Sequence, residues 1–117
     1  MSSEKIDPRA RDAATGISSY VGSDDAEYCE YVERKFIKEF SRALELDRRE
    51  EGRRLLKAVS RRLLQQARAR LSDASRYARD IDPVTAVTMA AVAQGFEEAS
   101  NFVLELDIED ILKREKN

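Results

Sequence analysis

The stretch RRLLKAVSRRLLQQARARL, residues 53–71, decides the fold. Its apolar residues Leu56, Val59, Leu63, Ala67 and Leu71 recur every three or four positions, the spacing of one face of an α-helix and not the alternation of a strand. Arginine and lysine take most of the remaining positions. The same stripe continues through Ala74, Ala78 and Ile81, so a helix is predicted from Arg48 to about Arg79. At 1.5 Å per residue it spans about 48 Å, more than a compact domain of this size is wide. A long, bent helix or a break near Ser72-Asp73 is therefore expected.

Two helices precede it in chain order. Asp7-Pro8 opens the first, since aspartate accepts a hydrogen bond from a free N–H as N-cap and proline has no donor to lose at the first helical position. Its apolar side is Ile6, Ala10, Ala13, Ile17 and Tyr20, and it ends at Val21-Gly22-Ser23. Gly16 weakens it by about 1 kcal/mol relative to alanine, which predicts fraying or late docking. Asp24 with Glu27 reads as the cap of a second helix running to about Leu46, with Cys29, Val32, Phe36, Ile37, Phe40, Ala43 and Leu44 as its core stripe. Asp47 with Glu50 repeats that cap and predicts a corner before the third helix.

Ile81-Asp82-Pro83 repeats the tripeptide of residues 6–8 and opens the last long helix by the same capping chemistry. There Met89, Val92, Phe96, Ala99, Val103 and Leu106 follow a 3,4,3,4,3 spacing, a heptad seam. The first half is apolar on nearly every side, so it is expected to be the most enclosed element. Asp107–Asn117 reads as a charged tail with Ile108, Ile111 and Leu112 as its apolar anchors. The expected fold is all-α: a single domain over residues 1–117, arranged as a four-helix, mostly antiparallel bundle with a long third helix and frayed ends at 1–6 and 113–117.

Composition narrows the chemistry. A chain of 117 residues, 42% hydrophobic and 38% charged, has the profile of a soluble helical domain. No apolar run approaches the roughly 18 residues of a membrane span, so no membrane partner is expected. The polar start, with Glu4 and Asp7, does not read as a signal peptide, which predicts a cytoplasmic protein. Cys29 is the single cysteine, so no intrachain disulfide forms, and there is no histidine. Serine, cysteine and threonine nucleophiles usually take their proton acceptor from histidine, and zinc sites usually need imidazole or several thiolates. A non-enzymatic protein without a cofactor is the expectation.

The formal charge of -2 conceals a gradient. Residues 1–47 hold 7 basic against 11 acidic side chains, residues 48–79 hold 11 against 3, and residues 80–117 hold 3 against 9, giving net charges of -4, +8 and -6. On the third helix Arg54, Lys57, Arg61, Arg68, Arg76 and Arg79 fall in one sector opposite the apolar stripe, a ridge about 37 Å long. Arginine suits phosphate because its planar fork donates two hydrogen bonds at once. The ridge lacks the aromatic residues of a single-strand platform, Tyr77 being the only one on this helix. Such a ridge faces a polyanion, is neutralised by the acidic helices beside it, or is an ordinary solvated face. Arg70 lies inside the apolar sector and needs a carboxylate partner or a subunit interface.

Three further features have plainer readings. Glu27 and Glu30, continued by Glu33, share a helical face, and Asp107 with Asp110 forms a second pair. All-helical pyrophosphohydrolases hold magnesium through such pairs on facing helices, but the spacing arises by chance in a chain this acidic. Cys29 reads as a small buried hydrophobe, and Tyr28 and Tyr31 as the edge of a core.

Asp73-Ala74 through Tyr77, then Asp82-Pro83-Val84-Thr85-Ala86, Gly95-Phe96-Glu97-Glu98-Ala99 and Leu104 to Ile108 resemble a family of short archaeal helical proteins of unknown function. The resemblance covers roughly residues 67–108 and implies a helical hairpin and no activity. Ile81 stands where that family has a turn glycine, and Glu98 replaces the aspartate of its signature. The expected function is a helical interaction and assembly module, self-associating through the seam Met89, Val92, Phe96, Ala99, Val103 and Leu106 with Arg70. The alternative is an accessory nucleic-acid-binding subunit using the ridge, and a metal-dependent nucleotide hydrolase ranks third.

Overall fold

The computed structural model describes residues 6–21, 31–80 and 82–114, which are helical apart from short joints and contain no strand. Helix α1 is Pro8–Val21. A π-helical turn, Val32–Phe36, runs directly into α2, Ile37–Glu45. Then follow α3, Arg49–Asp80, α4, Pro83–Glu105, and α5, Ile108–Lys113. None of these helices is long and apolar enough to cross a membrane. The predicted cap of the second helix at Asp24 and Glu27, with Tyr28, Cys29 and Glu30, lies outside the described residues.

The two Ile-Asp-Pro starts do the same work. The Arg9 N–H donates to Asp7 Oδ1 at 2.9 Å, and the Val84 N–H donates to Asp82 Oδ1 at 3.1 Å, each meeting a donor that the helix leaves unpaired. The corner before α3 forms differently from the expectation. Asp47 caps the end of α2 and does not cap α3: it adopts a left-handed φ of 53°, its N–H donates to Leu44 O at 3.2 Å, and the Arg48 N–H reaches back to Ala43 O at 2.8 Å. This is the Schellman arrangement, with aspartate at a position that glycine usually fills.

Helix α3 is continuous through Ser72-Asp73, and α4 doubles back along it in the most extensive helix contact of the molecule. Midway, Ser60 and Ser100 meet in the interior: their hydroxyl oxygens are 2.9 Å apart and the Ser100 hydroxyl donates to Ser60 O at 3.0 Å. Helices α1 and α2 cover only one half of this hairpin. There Ile17, Phe36, Phe40, Val59, Leu63, Phe96, Val103 and Ile111 form the core, and the Phe36 and Phe40 rings stack at 5.1 Å.

Helix α1 is continuous through Gly16, where the Phe102 ring lies so close that a Cβ would fall 2.6 Å from Phe102 Cε2. Four expectations change here. Ile6 is exposed, and Arg9 is buried instead. The first half of α4 is not the most enclosed element, because α1 ends beside Gly95 and leaves Val84 74% and Val87 71% exposed. The predicted stripe of α3 is buried through Ala67 and again at Ala74, but Leu71 and Ala78 are exposed. The charged tail is a fifth helix: Asp107 Oδ1 accepts the Glu109 N–H at 3.0 Å, and Ile108 and Ile111 are buried in the core.

Candidate nucleic-acid interface

The ridge is built by α3 alone, whose length and uninterrupted helix keep its cations in register. Arg54, Lys57, Arg61, Arg68, Arg76 and Arg79 are all exposed. Arg76 approaches Asp73 at 3.7 Å across one turn. The other five make no ion pair or hydrogen bond among the described residues.

A group of acids pairs with α3 at its first two turns. Glu109 of α5 reaches both Arg49 and Arg53, the latter at 3.2 Å, while Asp47 meets Arg49 at 3.2 Å and Glu51 meets Arg48 at 3.3 Å. Glu50 also binds Arg53, at 2.5 Å. Hydrogen bonds from Arg49 to Glu109 and Asp47 raise the guanidinium pKa above its ordinary value. Beyond Arg53, the exposed acids of α4, Glu97, Glu98 and Glu105, form no ion pair with the ridge among the described residues. Neighbouring Arg62 sits 4.3 Å over the Tyr31 ring in a cation–π contact. Burial, partly offset by the Arg62 charge, pushes the Tyr31 hydroxyl pKa up.

The residues expected at a subunit interface divide. Phe96, Ala99 and Val103 are buried in the chain's own core, Met89 and Leu106 are half-buried, and Val92 is partly exposed. The middle of the seam is thus consumed by α1 and α3. Arg70 is half-buried and has an interaction of its own. Of the acidic pairs, Asp107 is the α5 cap and Asp110 is exposed. No group of three metal-ligating side chains occurs among the described residues.

Two arrangements escaped the sequence reading. One is a clasp at the start of α1: Arg9 Nη2 donates to Asp7 Oδ2 at 2.7 Å, Arg9 Nε to Asp7 Oδ1 at 2.9 Å and Arg9 Nη1 to Leu112 O at 3.3 Å, while the Asp7 N–H donates to Ser41 Oγ at 2.9 Å. Burial opposes ionisation of Asp7, but the Arg9 hydrogen bonds and charge outweigh it and lower its pKa. Its signal was an arginine two residues after a capping aspartate. The other is a cavity of about 180 Å³ bordered by Lys57 at the near end of the ridge, which no local spacing announces because three helices form it. Compared with protein-family models, curated proteins and solved structures, the chain matches none.

Proposed function

We propose that this chain is a cytoplasmic, non-enzymatic helical module that binds nucleic acid through the phosphate backbone, with the α3 ridge as its contact surface. Its four longer helical segments are read as a mostly antiparallel bundle that holds α3 straight. One observation carries this reading: five exposed cations stand in line on one helix and make no ion pair among the described residues. Neutralisation by the acidic helices, the competing account of the ridge, finds no support beyond Arg53. A ridge of about 37 Å matches one duplex turn of about 34–36 Å. Each neutralised phosphate releases condensed counterions, so the logarithmic salt slope should be about -0.7 to -0.9 per contact.

Filter-binding titrations at two salt concentrations test this. Binding that weakens steeply with salt is expected, together with its loss in an Arg61→Glu, Arg68→Glu double variant that keeps the wild-type circular dichroism. Undetectable affinity at low salt, or unchanged affinity in the double variant, removes the reading.

A second reading, self-association, rests on the distal half of α4. Pro83–Gly95 carries no charged residue in a chain that is 38% charged, and Val84, Val87 and Ala91 are exposed along one stripe. The same side of α4 is covered by α1 at Gly95 and Phe102. A second copy related by a two-fold axis near Val87 would continue that helix-on-helix packing with an equally uncharged surface. Sedimentation of a dimer that Val87→Glu converts to monomer supports it; a wild-type monomer at micromolar concentration rejects it.

A further inference from the structure

The cavity beside Lys57 lies where the ridge meets the end of α4 and the start of α5. Its floor is Leu56, Val103 and Ile108, all buried, and its mouth is Leu104, 63% exposed, with Leu106. At about 180 Å³ it is smaller than the roughly 300–1,000 Å³ of sites that enclose drug-sized ligands, and it has room for about one ring system. Aliphatic walls of this kind disfavour a hydrated ion and favour a flat, weakly polar ring.

Three charged side chains border that apolar floor, and their roles differ. Arg53 is held by Glu50 and, at 3.2 Å, by Glu109, which fixes the plane of its guanidinium and uses up its charge. A fixed guanidinium plane is a surface on which a base stacks. Lys57 has no partner among the described residues and remains available to a phosphate. Asp107 uses Oδ1 to cap α5. As a carboxylate it keeps further acceptor capacity and offers no donor. Base edges that present an amino group match it, whereas the O4 carbonyl of thymine or uracil is repelled.

From these placements we infer that the cavity receives one unpaired, amino-bearing base of a single strand whose backbone runs along the ridge. This rests on the nucleic-acid reading above and adds to it a preference for single strand over duplex, and for cytosine over thymine. Bases within a duplex are stacked and must be extruded before they reach such a cavity, so duplex binding is left to the ridge alone.

Fluorescently labelled oligo(dC), oligo(dT) and a blunt duplex of equal length, titrated into the full chain at one salt concentration, test the inference. Oligo(dC) should bind about tenfold tighter than oligo(dT), the effect of one hydrogen bond to a charged group. Asp107→Asn preserves the cap, because asparagine caps as well as aspartate, and replaces the remaining acceptor by an NH2 donor, so the preference for dC over dT should be lost or reversed. Leu104→Gln removes an apolar side chain at the mouth without changing the charge, and should reduce single-strand affinity to the duplex level while leaving duplex binding almost unchanged. Equal affinity for dC, dT and duplex, or discrimination that survives both substitutions, overturns the cavity site and leaves the ridge reading intact. Absence of binding to every strand overturns the ridge reading and the cavity site with it.

Discussion

Asp7 is wholly enclosed yet ionised, because Arg9 follows it closely enough to donate two side-chain hydrogen bonds to the same carboxylate. Asp7→Asn keeps the cap but leaves the buried Arg9 with only the Glu45 charge near it, at a cost of about 1–3 kcal/mol near neutral pH. The folded-state pKa lies below the unfolded value of about 3.9, so this stabilisation is complete above that pH and fades as pH falls through the folded value. Urea unfolding at neutral and strongly acidic pH should show the gap between wild type and variant closing in acid; a gap independent of pH would mean that Asp7 is not ionised. Glycines act at the same scale. A Cβ at Gly95 would stand 2.5 Å from the Tyr20 carbonyl oxygen, which is backbone and cannot swing aside, whereas at Gly16 it would meet the movable end of the Phe102 side chain. Gly95→Ala should therefore lose about 1–3 kcal/mol despite the gain in helix propensity, and more than Gly16→Ala, as thermal unfolding of the two would measure.

At the scale of the element, α4 has two halves with opposite sensitivities. Phe96→Ala should cost about 3–5 kcal/mol in chemical denaturation, because Phe96 is 0% exposed between α1 and α3 and its removal leaves an aromatic-sized hole. Val87→Glu should change monomer stability by less than about 0.5 kcal/mol, since the side chain touches little. The first half reads as the more apolar in the sequence, yet it is the more exposed in the fold. Caps at Asp7 and Asp82 and the stripe Leu56, Val59, Leu63 and Ala67 depend on a few neighbouring residues and were legible. Burial of Val84 or exposure of Leu71 depends on how far α1 reaches along the hairpin, which no local period encodes. Asp107 was legible in principle, as a capping residue followed by Ile108, Ile111 and Leu112 at helical spacing, but its acidic neighbours masked it. Of the candidate site, the ridge was visible as a sector of α3; whether acids covered it was a tertiary question, decided by the pairing of Glu109 with Arg49 and Arg53.

The whole molecule measures 51 × 32 × 20 Å with a radius of gyration of 16.0 Å, against about 13 Å for a compact chain of about 100 residues. The elongation is that of the α3–α4 hairpin, whose far half has no third helical layer among the described residues. A monomer should therefore sediment more slowly than a sphere of 13.3 kDa, and any dimer should dissociate on dilution without loss of helicity. The clasp has a consequence for chain topology as well. Arg9 donates to the carbonyl of a residue 103 positions away, so the beginning of α1 and the end of α5 lie side by side and the described chain nearly closes into a ring. Joining the termini through a glycine-serine linker and opening the chain at the turn between α3 and α4 would give a circular permutant in which every helix pair is retained and only the order of connection changes. Such a permutant should fold cooperatively, with the far ends of α3 and α4 loosened in hydrogen exchange and the amides around Asp7, Ser41 and Ile111 protected as before.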